Sequence, residues 1–333
     1  MLDISLKEAT RAILECKTDF RLMKESVDGM YQIFSSITGV TINTLNQDQD
    51  ILLSQGKAIS ISAAAHCLLE MKRTALFLRG INKAILQKKD QLQDKPIQIL
   101  YAGTGPYGTL VIPLLTLYKP KEIIVDLLDI NTDSLAALQK ITAKLNLSEF
   151  IGDIYCTDAT TFVVSKSYDI VISETMLACL KNEPQVAIMQ NLIPQLTGES
   201  IFIPEEISID SCLTNPKMEM NRLLSFSGSQ PSFERISLGN IFKISKNDLL
   251  SIQLKKAVII PEQYISTFPI LKLFTTVTVF DDEILTGNDS SITIPKQYYD
   301  FRNDNSREVE FWYIKGEKPR IESSAIKLVE SFV

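Results

Sequence analysis

The sequence predicts an α/β fold with a parallel sheet, an N-terminal helical segment and a C-terminal antiparallel, barrel-like β region. Three observations predict it. In the first third of the chain, apolar residues recur at helical intervals. From Ile97 onward, short apolar runs alternate with helical patterns, as in a parallel sheet with crossover helices. After Pro204, apolar and polar residues alternate, as in half-buried antiparallel strands. We therefore divide the chain into segments 1–92, 93–204 and 205–333.

The composition excludes several classes of protein. With 333 residues, of which 45% are hydrophobic and 22% charged, the chain is globular and has the length of about two domains. The net charge of −6 argues against a nucleic acid as the main partner. No secretory signal is visible at the N-terminus, and no apolar stretch reaches the ~18 residues that span a bilayer. We expect a cytoplasmic protein that binds neither a membrane nor a nucleic acid.

The cysteines and the single histidine give no metal site. The five cysteines are scattered and never have C-x-x-C spacing, which fits a reducing compartment and excludes a zinc motif. His66 lies between Ala65 and Cys67 in an apolar helical pattern, and we expect it to have a structural, at least partly buried role.

The N-terminal segment is predicted to be helical on both sides of a polar break at residues 43–55. Ser60 or Ser62 could cap a third helix that runs to Arg79, and Gly80 could bend it. The strands of the parallel sheet are predicted at residues 97–102, 122–128, 150–156, 168–173 and 199–203, with helices at 108–118, 132–145 and 184–194. Later strands are predicted at 207–211, 249–260, 269–280, 291–294 and 307–314. The late aromatic residues are expected to pack in this β region: Tyr298, Tyr299, Phe301, Trp312 and Tyr313.

A glycine-rich turn follows the first strand of the sheet. Gly103, Gly105 and Gly108 lie in the stretch Gly-Thr-Gly-Pro-Tyr-Gly, where a missing Cβ lets a ligand approach the backbone and the start of a helix. No Walker lysine follows the turn, so a P-loop is excluded.

Acidic residues follow the next two strands. Asp129 ends the second strand, at the distance where nucleotide-binding α/β folds place an acid for the ribose hydroxyls. Asp158, followed by Ala159, comes after the third strand and could accept a hydrogen bond from the amine of an adenine. The order of these acids favours a nucleoside cofactor, and the alternative for Asp129 is an ordinary acid at a strand end.

Two glutamates mark a second site. Glu174 follows the fourth strand and Glu183 comes nine residues later. Two carboxylates that converge at the carboxyl edge of a sheet repel each other unless a cation lies between them, and a guanidinium or ammonium group suits such a pair. In the alternative interpretation, Glu174 caps the next helix and Glu183 is solvated.

With these motifs, the sequence resembles the class I S-adenosylmethionine-dependent methyltransferases and, within them, the protein arginine methyltransferases. The matches are the glycine turn, Asp129, the double-glutamate loop of Glu174 and Glu183, and the passage at 193–204 into a β domain. The resemblance covers about residues 65–210. It implies a Rossmann-like domain that binds S-adenosyl-L-methionine and a C-terminal domain for substrate binding and dimerisation.

The resemblance also implies roles for single residues. Arg73, or Arg79 in its place, would bind the cofactor carboxylate. The other expected cofactor contacts are Tyr101, Gly103, Gly105, Asp129, Asp158 and Ala159. Glu174 and Glu183 would be catalytic.

The sequence departs from the family in three ways. Tyr101 stands where the family usually has an acid, the Thr-His-Trp motif has no counterpart, and the β domain is short, with residues 212–233 as the remnant of a dimerisation arm.

The expected function is N-methylation of a guanidino or amino group on a small molecule, a peptide or a protein arginine. Two alternatives stay open: an O- or C-methyltransferase of a natural product, and a non-catalytic interaction module. A homodimer is a further expectation.

Overall fold

The computed structural model describes residues 4–41, 49–93, 95–224, 234–304 and 306–327, with only the backbone at 222–224 and 327. The N-terminal helices are α1 (Leu6–Glu15), α2 (Phe20–Thr38), α3 (Ile61–Cys67) and α4 (Met71–Leu92), and a hairpin of β1 (Ile51–Leu53) and β2 (Gly56–Ala58) lies between α2 and α3. β1 lies in the predicted polar break and β2 directly after it, and residues 43–48 of the break lie outside the described residues. Sequence analysis missed the hairpin, although a short loop with a glycine between apolar runs is a hairpin signal.

The start of α3 is as predicted, but its end is not. The Ser60 side chain accepts a hydrogen bond from the Ala63 N–H and caps the helix. The predicted single helix is divided after Cys67, and α4 then continues through Gly80 without a break. Gly80 itself packs against the C-terminal sheet described below.

The central sheet is parallel and has five strands in the order β5-β4-β3-β6-β7. Its strands are β3 (Ile97–Ala102), β4 (Ile123–Asp129), β5 (Ile151–Cys156), β6 (Ile170–Ser173) and β7 (Ile201–Ile203). Each overlaps its predicted range. The strand order changes direction beside β3, so the carboxyl ends of β3, β4 and β6 border the crevice where such sheets bind ligands.

The helices of this region are α5 (Ile112–Leu115), α6 (Thr132–Lys144) and α7 (Gln185–Leu192). The helix predicted at 108–118 was much too long. Gly108 has φ of +57°, which is incompatible with a right-handed helix, and the chain turns until residue 111 before α5 begins.

The described residues of the C-terminal region form two antiparallel sheets. The larger consists of β8 (Glu206–Thr214), β9 (Ile236–Ser245), β11 (Ile270–Phe280), β12 (Glu283–Leu285) and β13 (Lys296–Asp300). The smaller consists of β10 (Lys256–Ile259), β14 (Ser306–Ile314) and β15 (Arg320–Lys327). The described residues of this region also form the helices α8 (Pro216–Leu224) and α9 (Glu262–Ile265).

Several predictions in this region need correction. Residues 291–294 are not a strand: Ser291–Thr293 form a 3₁₀ turn. The strand predicted at 249–260 shrinks to β10, and β9, β12, β13 and β15 were missed. The residues of the predicted arm contain the end of β8 and then α8, and residues 225–233 lie outside the described residues.

Three of the late aromatic residues, Tyr298, Tyr299 and Phe301, pack in the β region as predicted. Phe301 is buried and stacks with Tyr299 at a centroid distance of 6.0 Å. The Tyr298 ring meets the Phe311 ring edge-on at 5.7 Å.

Helix α4 joins the N-terminal helices to the larger antiparallel sheet. A Cβ on Gly80 would lie 2.7 Å from Cγ1 of Val279 in β11, so the glycine allows the helix and the strand to touch. The neighbouring Arg79 is buried and pairs with Glu283 of β12 at 2.9 Å. Within the described ranges, no helix is long and apolar enough to cross a membrane.

Candidate active site

The glycine turn lies between α3 and the loop that follows β6. Gly103 and Gly105 have φ of +79° and +59°, a backbone conformation that favours glycine. A Cβ on Gly103 would come within 2.5 Å of Cγ2 of Thr175, and one on Gly105 within 3.4 Å of Cβ of Ala64. Both glycines are therefore required by backbone conformation, and Gly103 by space as well.

Asp129 stabilises the turn from the end of β4. Its Oδ2 accepts hydrogen bonds from the Gly105 N–H at 2.8 Å and the Thr104 hydroxyl at 3.3 Å, and its Oδ1 accepts one from the Asn131 N–H at 2.9 Å. Burial raises the pKa of Asp129, and the backbone hydrogen bonds from Asn131 and Gly105 oppose that rise. A carboxylate offers about four lone-pair sites, so Asp129 retains capacity for a ligand.

Asp158 and Ala159 border the same crevice from the loop after β5. Oδ1 of Asp158 accepts a hydrogen bond from the Thr160 N–H at 2.8 Å. The Asn191 side chain of α7 donates to the Ala159 carbonyl at 3.0 Å, which holds the loop in place.

One cavity connects all the predicted site residues. It encloses about 1000 Å³, including the part open to solvent. Among its lining residues are the predicted cofactor and catalytic positions: Arg73, Tyr101, Gly103, Gly105, Asp129, Asp158, Ala159, Glu174 and Glu183. The N-terminal segment also contributes to the lining through Leu53, Ala58, Ile59, Ala64 and Cys67, a contribution that sequence analysis did not foresee.

Arg73, in the first turn of α4, forms an ion pair with Glu174. Nη2 of the guanidinium bonds Oε2 of Glu174, while Nη1 lies 3.5 Å from Oε2 of Glu70. Only 9% of the Arg73 side chain and 3% of the Glu174 side chain are exposed. Although burial disfavours its charge, the carboxylate of Glu174 raises the pKa of Arg73 well above the usual value.

Arg79, the alternative to Arg73, points elsewhere. Its guanidinium pairs with Glu283 and also donates to the carbonyls of Ile13 and Cys16, at 3.4 and 3.1 Å. Of the two arginines, only Arg73 is among the described residues that line the cavity.

The two glutamates do not have the alternative roles of a helix cap and a solvated acid. Glu174 does not cap the following helical turn, and Glu183 is buried with 6% exposure. Burial raises the pKa of Glu174, against the effect of Arg73. Burial and the nearby Glu174 charge raise the pKa of Glu183 to about 8. Among the described residues, Oε1 of Glu174 has no hydrogen-bond partner.

The loop between the glutamates is held by distant parts of the chain. Leu180 and Asn182 have φ of +54° and +67°. The Leu180 carbonyl accepts a hydrogen bond from the Tyr313 hydroxyl at 3.2 Å, and the Asn182 N–H donates to the Pro319 carbonyl at 2.7 Å. We call residues 174–183 the acid loop.

Gln185 is a further structural residue that sequence analysis missed. It is fully buried; its Oε1 accepts a hydrogen bond from the Thr175 N–H at 2.8 Å, and its Nε2 donates to the Ser173 carbonyl at 3.0 Å. It fixes the backbone on both sides of Glu174. A polar residue two positions after Glu183, at the start of α7, was the available signal.

The two tyrosines at the first strand and its turn have separate environments. Tyr101 is buried in the cavity wall; burial raises its pKa, and a hydrogen bond to the backbone of Leu110 opposes the rise. Tyr107 points away from the cavity lining: its hydroxyl donates to the Val40 carbonyl at 2.6 Å, and its ring packs against Phe34. It anchors the glycine turn to the end of α2.

His66 is exposed on α3, so the expectation of an at least partly buried histidine was wrong. The apolar face of this short helix carries Ala65 instead, and His66, one residue further along, points outward.

Solved structures with a similar fold exist. One is Trypanosoma brucei PRMT1 in its enzyme–prozyme heterotetrameric complex with AdoHcy: the TM-score is 0.55 and the identity 14%, over 80% of this chain and 94% of that chain. Another is PRMT6, with a TM-score of 0.55 and 10% identity over 79% of this chain and 99% of that chain. The expected class I methyltransferase fold, similar to that of the protein arginine methyltransferases, is confirmed. No protein-family model and no curated protein matches the sequence.

Proposed function

We propose that this chain is an S-adenosylmethionine-dependent methyltransferase that transfers a methyl group to a guanidino or amino nitrogen. The observation that carries the proposal is the pair of buried carboxyl groups, Glu174 and Glu183, on the same cavity as the glycine turn and Asp129. The fold shared with PRMT1 and PRMT6 supports it, as does the AdoHcy bound in the Trypanosoma brucei complex.

The residues at the turn fit the cofactor. Gly103 and Gly105 line the cavity, and a nucleoside can lie against a glycine backbone at the end of a strand. Asp129 would accept hydrogen bonds from the ribose hydroxyls, Asp158 one from the adenine amine, and Arg73 would bind the carboxylate of the methionine part. When bound, S-adenosylmethionine supplies an electrophilic methyl group.

Glu174 and Glu183 would bind and orient the acceptor nitrogen. Oε1 of Glu174 is buried and, within the described residues, lacks a hydrogen-bond partner, a cost that a donor from a guanidinium or ammonium group would remove. Positive charge arrives on the acceptor nitrogen during methyl transfer, and carboxylates already in place stabilise it where it develops.

Glu183 would accept the departing proton. Its pKa of about 8 lies near neutral pH, where a general acid or base works best. A cationic acceptor beside it would lower this pKa and ionise the group. His66 is exposed on α3 and does not line the cavity, so the proposal includes no histidine base.

The test combines cofactor binding with an acceptor panel. Isothermal titration with S-adenosylmethionine measures binding. Transfer of a labelled methyl group is then compared among an arginine-containing peptide, a small guanidino compound, a primary amine and a hydroxylated aromatic compound. We expect transfer to one of the nitrogen acceptors. Binding with transfer to the hydroxylated compound alone would contradict the proposal and favour an O- or C-methyltransferase.

A non-catalytic module is the second candidate, and one observation favours it. The Arg73 guanidinium is already paired with Glu174, so the residue proposed for the cofactor carboxylate and the acid proposed for the acceptor bind each other. Absence of binding at millimolar S-adenosylmethionine would support this candidate.

We propose a homodimer as the assembly. The similar Trypanosoma brucei PRMT1 forms a heterotetramer, and in this chain α8 exposes Met220 on the segment interpreted as an arm. Light scattering after size-exclusion chromatography measures the mass; a monomer at micromolar concentration would contradict the proposal.

A further inference from the structure

The β1–β2 hairpin touches the acid loop, backbone against backbone. Gly56 has φ of +135° and packs against the backbone on both sides of Glu183. A Cβ on Gly56 would come within 2.9 Å of the Asn182 carbonyl oxygen and 3.1 Å of the Pro184 nitrogen. The next residue, Lys57, donates its N–H to the same Asn182 carbonyl at 2.9 Å.

Asn182 is therefore held from two sides. Its carbonyl accepts from Lys57 of the hairpin, and its N–H donates to Pro319, just before β15, at 2.7 Å. The residue between Asn182 and Pro184 is Glu183, so its backbone position depends on both contacts.

The hairpin also brings charges to Glu183. Lys57 and Asp50 form an ion pair, and Oδ1 of Asp50 accepts a hydrogen bond from the Ser60 N–H at 2.9 Å. The charged groups that act on the Glu183 carboxyl are Glu174 after β6, Arg73 of α4, and Lys57 and Asp50 of the hairpin. Lys57 and Arg73 favour the ionised carboxylate, whereas Glu174 and Asp50 oppose it.

We propose that the hairpin is a positioning element of the acceptor site, in which Gly56 sets the place of Glu183 and holds the Lys57–Asp50 ion pair beside the acid loop. The kinetic consequence rests on the proposed function, but the positioning itself does not. A residue larger than glycine at position 56 must move either the hairpin or the acid loop, because the atoms it meets are backbone. Both movements change the surroundings of Glu183.

The first experiment compares two glycines in the full chain. Gly56→Ala is the test and Gly239→Ala the control, because Gly239 also has a positive φ, +98°, but has no atom within 4 Å of the Cβ position. We expect hydrogen–deuterium exchange of the amides of residues 180–183 and 185 to become at least about tenfold faster in Gly56→Ala only, which corresponds to a loss of about 1.4 kcal/mol. Equal exchange in the two variants would overturn the role of Gly56.

The second experiment reads the ionisation of Glu183 directly. The carboxyl carbon of Glu183 is followed by NMR in protein labelled with ¹³C at glutamate, with Glu183→Gln identifying the signal. We expect Lys57→Met to raise the pH at which this signal titrates, Asp50→Asn to lower it, and Lys57→Arg to restore the original value. An unchanged titration of Glu183 in Lys57→Met would overturn the proposed influence of the Lys57–Asp50 pair on this carboxyl.

These measurements separate the inference from the proposed function. If the wild-type chain transferred no methyl group, exchange and titration would still report on the hairpin. If methyl transfer is observed, Lys57→Met should move the pH profile of kcat in the same direction as the NMR titration, with unchanged affinity for S-adenosylhomocysteine, since Lys57 does not line the cavity.

Discussion

The two ends of the cavity are built in different ways. At the glycine turn, the main polar partners lie within a short stretch of chain: Asp129 bonds Gly105, Thr104 and Asn131. At the acid loop, they come from far apart: Arg73 meets Glu174 across 101 positions, and Tyr313 meets Leu180 across 133.

The electrostatics of the two ends differ as well. Burial raises the pKa of Asp129, but hydrogen bonds from the backbone N–H groups of Asn131 and Gly105 oppose the rise. At the acid loop, a carboxylate oxygen of Glu174 is buried without a partner among the described residues, and Glu183 has a pKa far from its usual value. Groups perturbed by burial and by a specific charge in a cleft are candidates for function. At the glycine turn, N–H groups of the protein already bond the buried carboxylate, whereas at the acid loop one oxygen of Glu174 lacks a partner among the described residues although Arg73 bonds the other.

The largest predicted effect concerns the stability of the acid loop. The folded-state pKa of Glu183 is raised from 4.5 to about 8, so its contribution to stability is fully present below the unfolded value and is lost as the pH rises through about 8. Glu183→Gln, which does not titrate, should gain up to about 5 kcal/mol in unfolding free energy relative to wild type between about pH 5 and about pH 9.

Urea unfolding at several pH values measures this gain. The exposed Glu149→Gln serves as control and should show a small, constant difference from wild type. A pH-independent difference for Glu183→Gln would mean that Glu183 is ionised like an ordinary surface acid, and the contrast between the two ends would disappear.

Glu174→Gln should abolish most turnover while the cofactor still binds. Removing one preorganised charged group from a reacting centre costs about 10²–10³-fold in kcat, and the isosteric amide leaves the volume unchanged. Methyl-transfer assays and isothermal titration measure the two quantities. Wild-type turnover in this variant would remove Glu174 from the mechanism.

Asp129→Asn should weaken cofactor binding at the glycine turn. The amide offers one acceptor oxygen fewer, and loss of a charge-assisted hydrogen bond raises Kd by about tenfold to about a hundredfold. Titration with S-adenosylhomocysteine measures this Kd. The control is Asp133→Asn, because Asp133 is exposed in the first turn of α6. Equal affinities in the two variants would show that Asp129 only stabilises the turn.

Tyr107→Phe should have the smallest effect. It removes the hydroxyl that donates to the Val40 carbonyl and should lower the unfolding free energy by about 1 kcal/mol, because the ring still packs on α2. Thermal unfolding with and without S-adenosylhomocysteine would sharpen the comparison: a loss of cofactor affinity larger than the loss of stability would show that α2 shapes the turn.

Structure follows the sequence pattern most closely where local residues decide it. The ranges predicted for β3 to β7 overlap the observed strands, because buried parallel strands are short apolar runs bounded by turns. The sequence did not reveal the contact of Gly80 with Val279, which only the packing of the helix on the strand shows. The sequence pattern also did not predict β9 and β15, because polar residues interrupt their alternation of apolar and polar positions. It did not predict the hairpin, because its strands have three residues each.

The sequence by itself determined the glycine turn, the acids that follow the strands and the two glutamates, because each of these depends on residue type at a fixed distance from an apolar run. Only the tertiary structure decided which arginine faces the cavity, that Arg73 pairs with Glu174, and that Glu183 is buried beside the hairpin. The physical reason is desolvation: the protonation of a carboxyl depends on how much water and which charges surround it, and segments distant in sequence supply both.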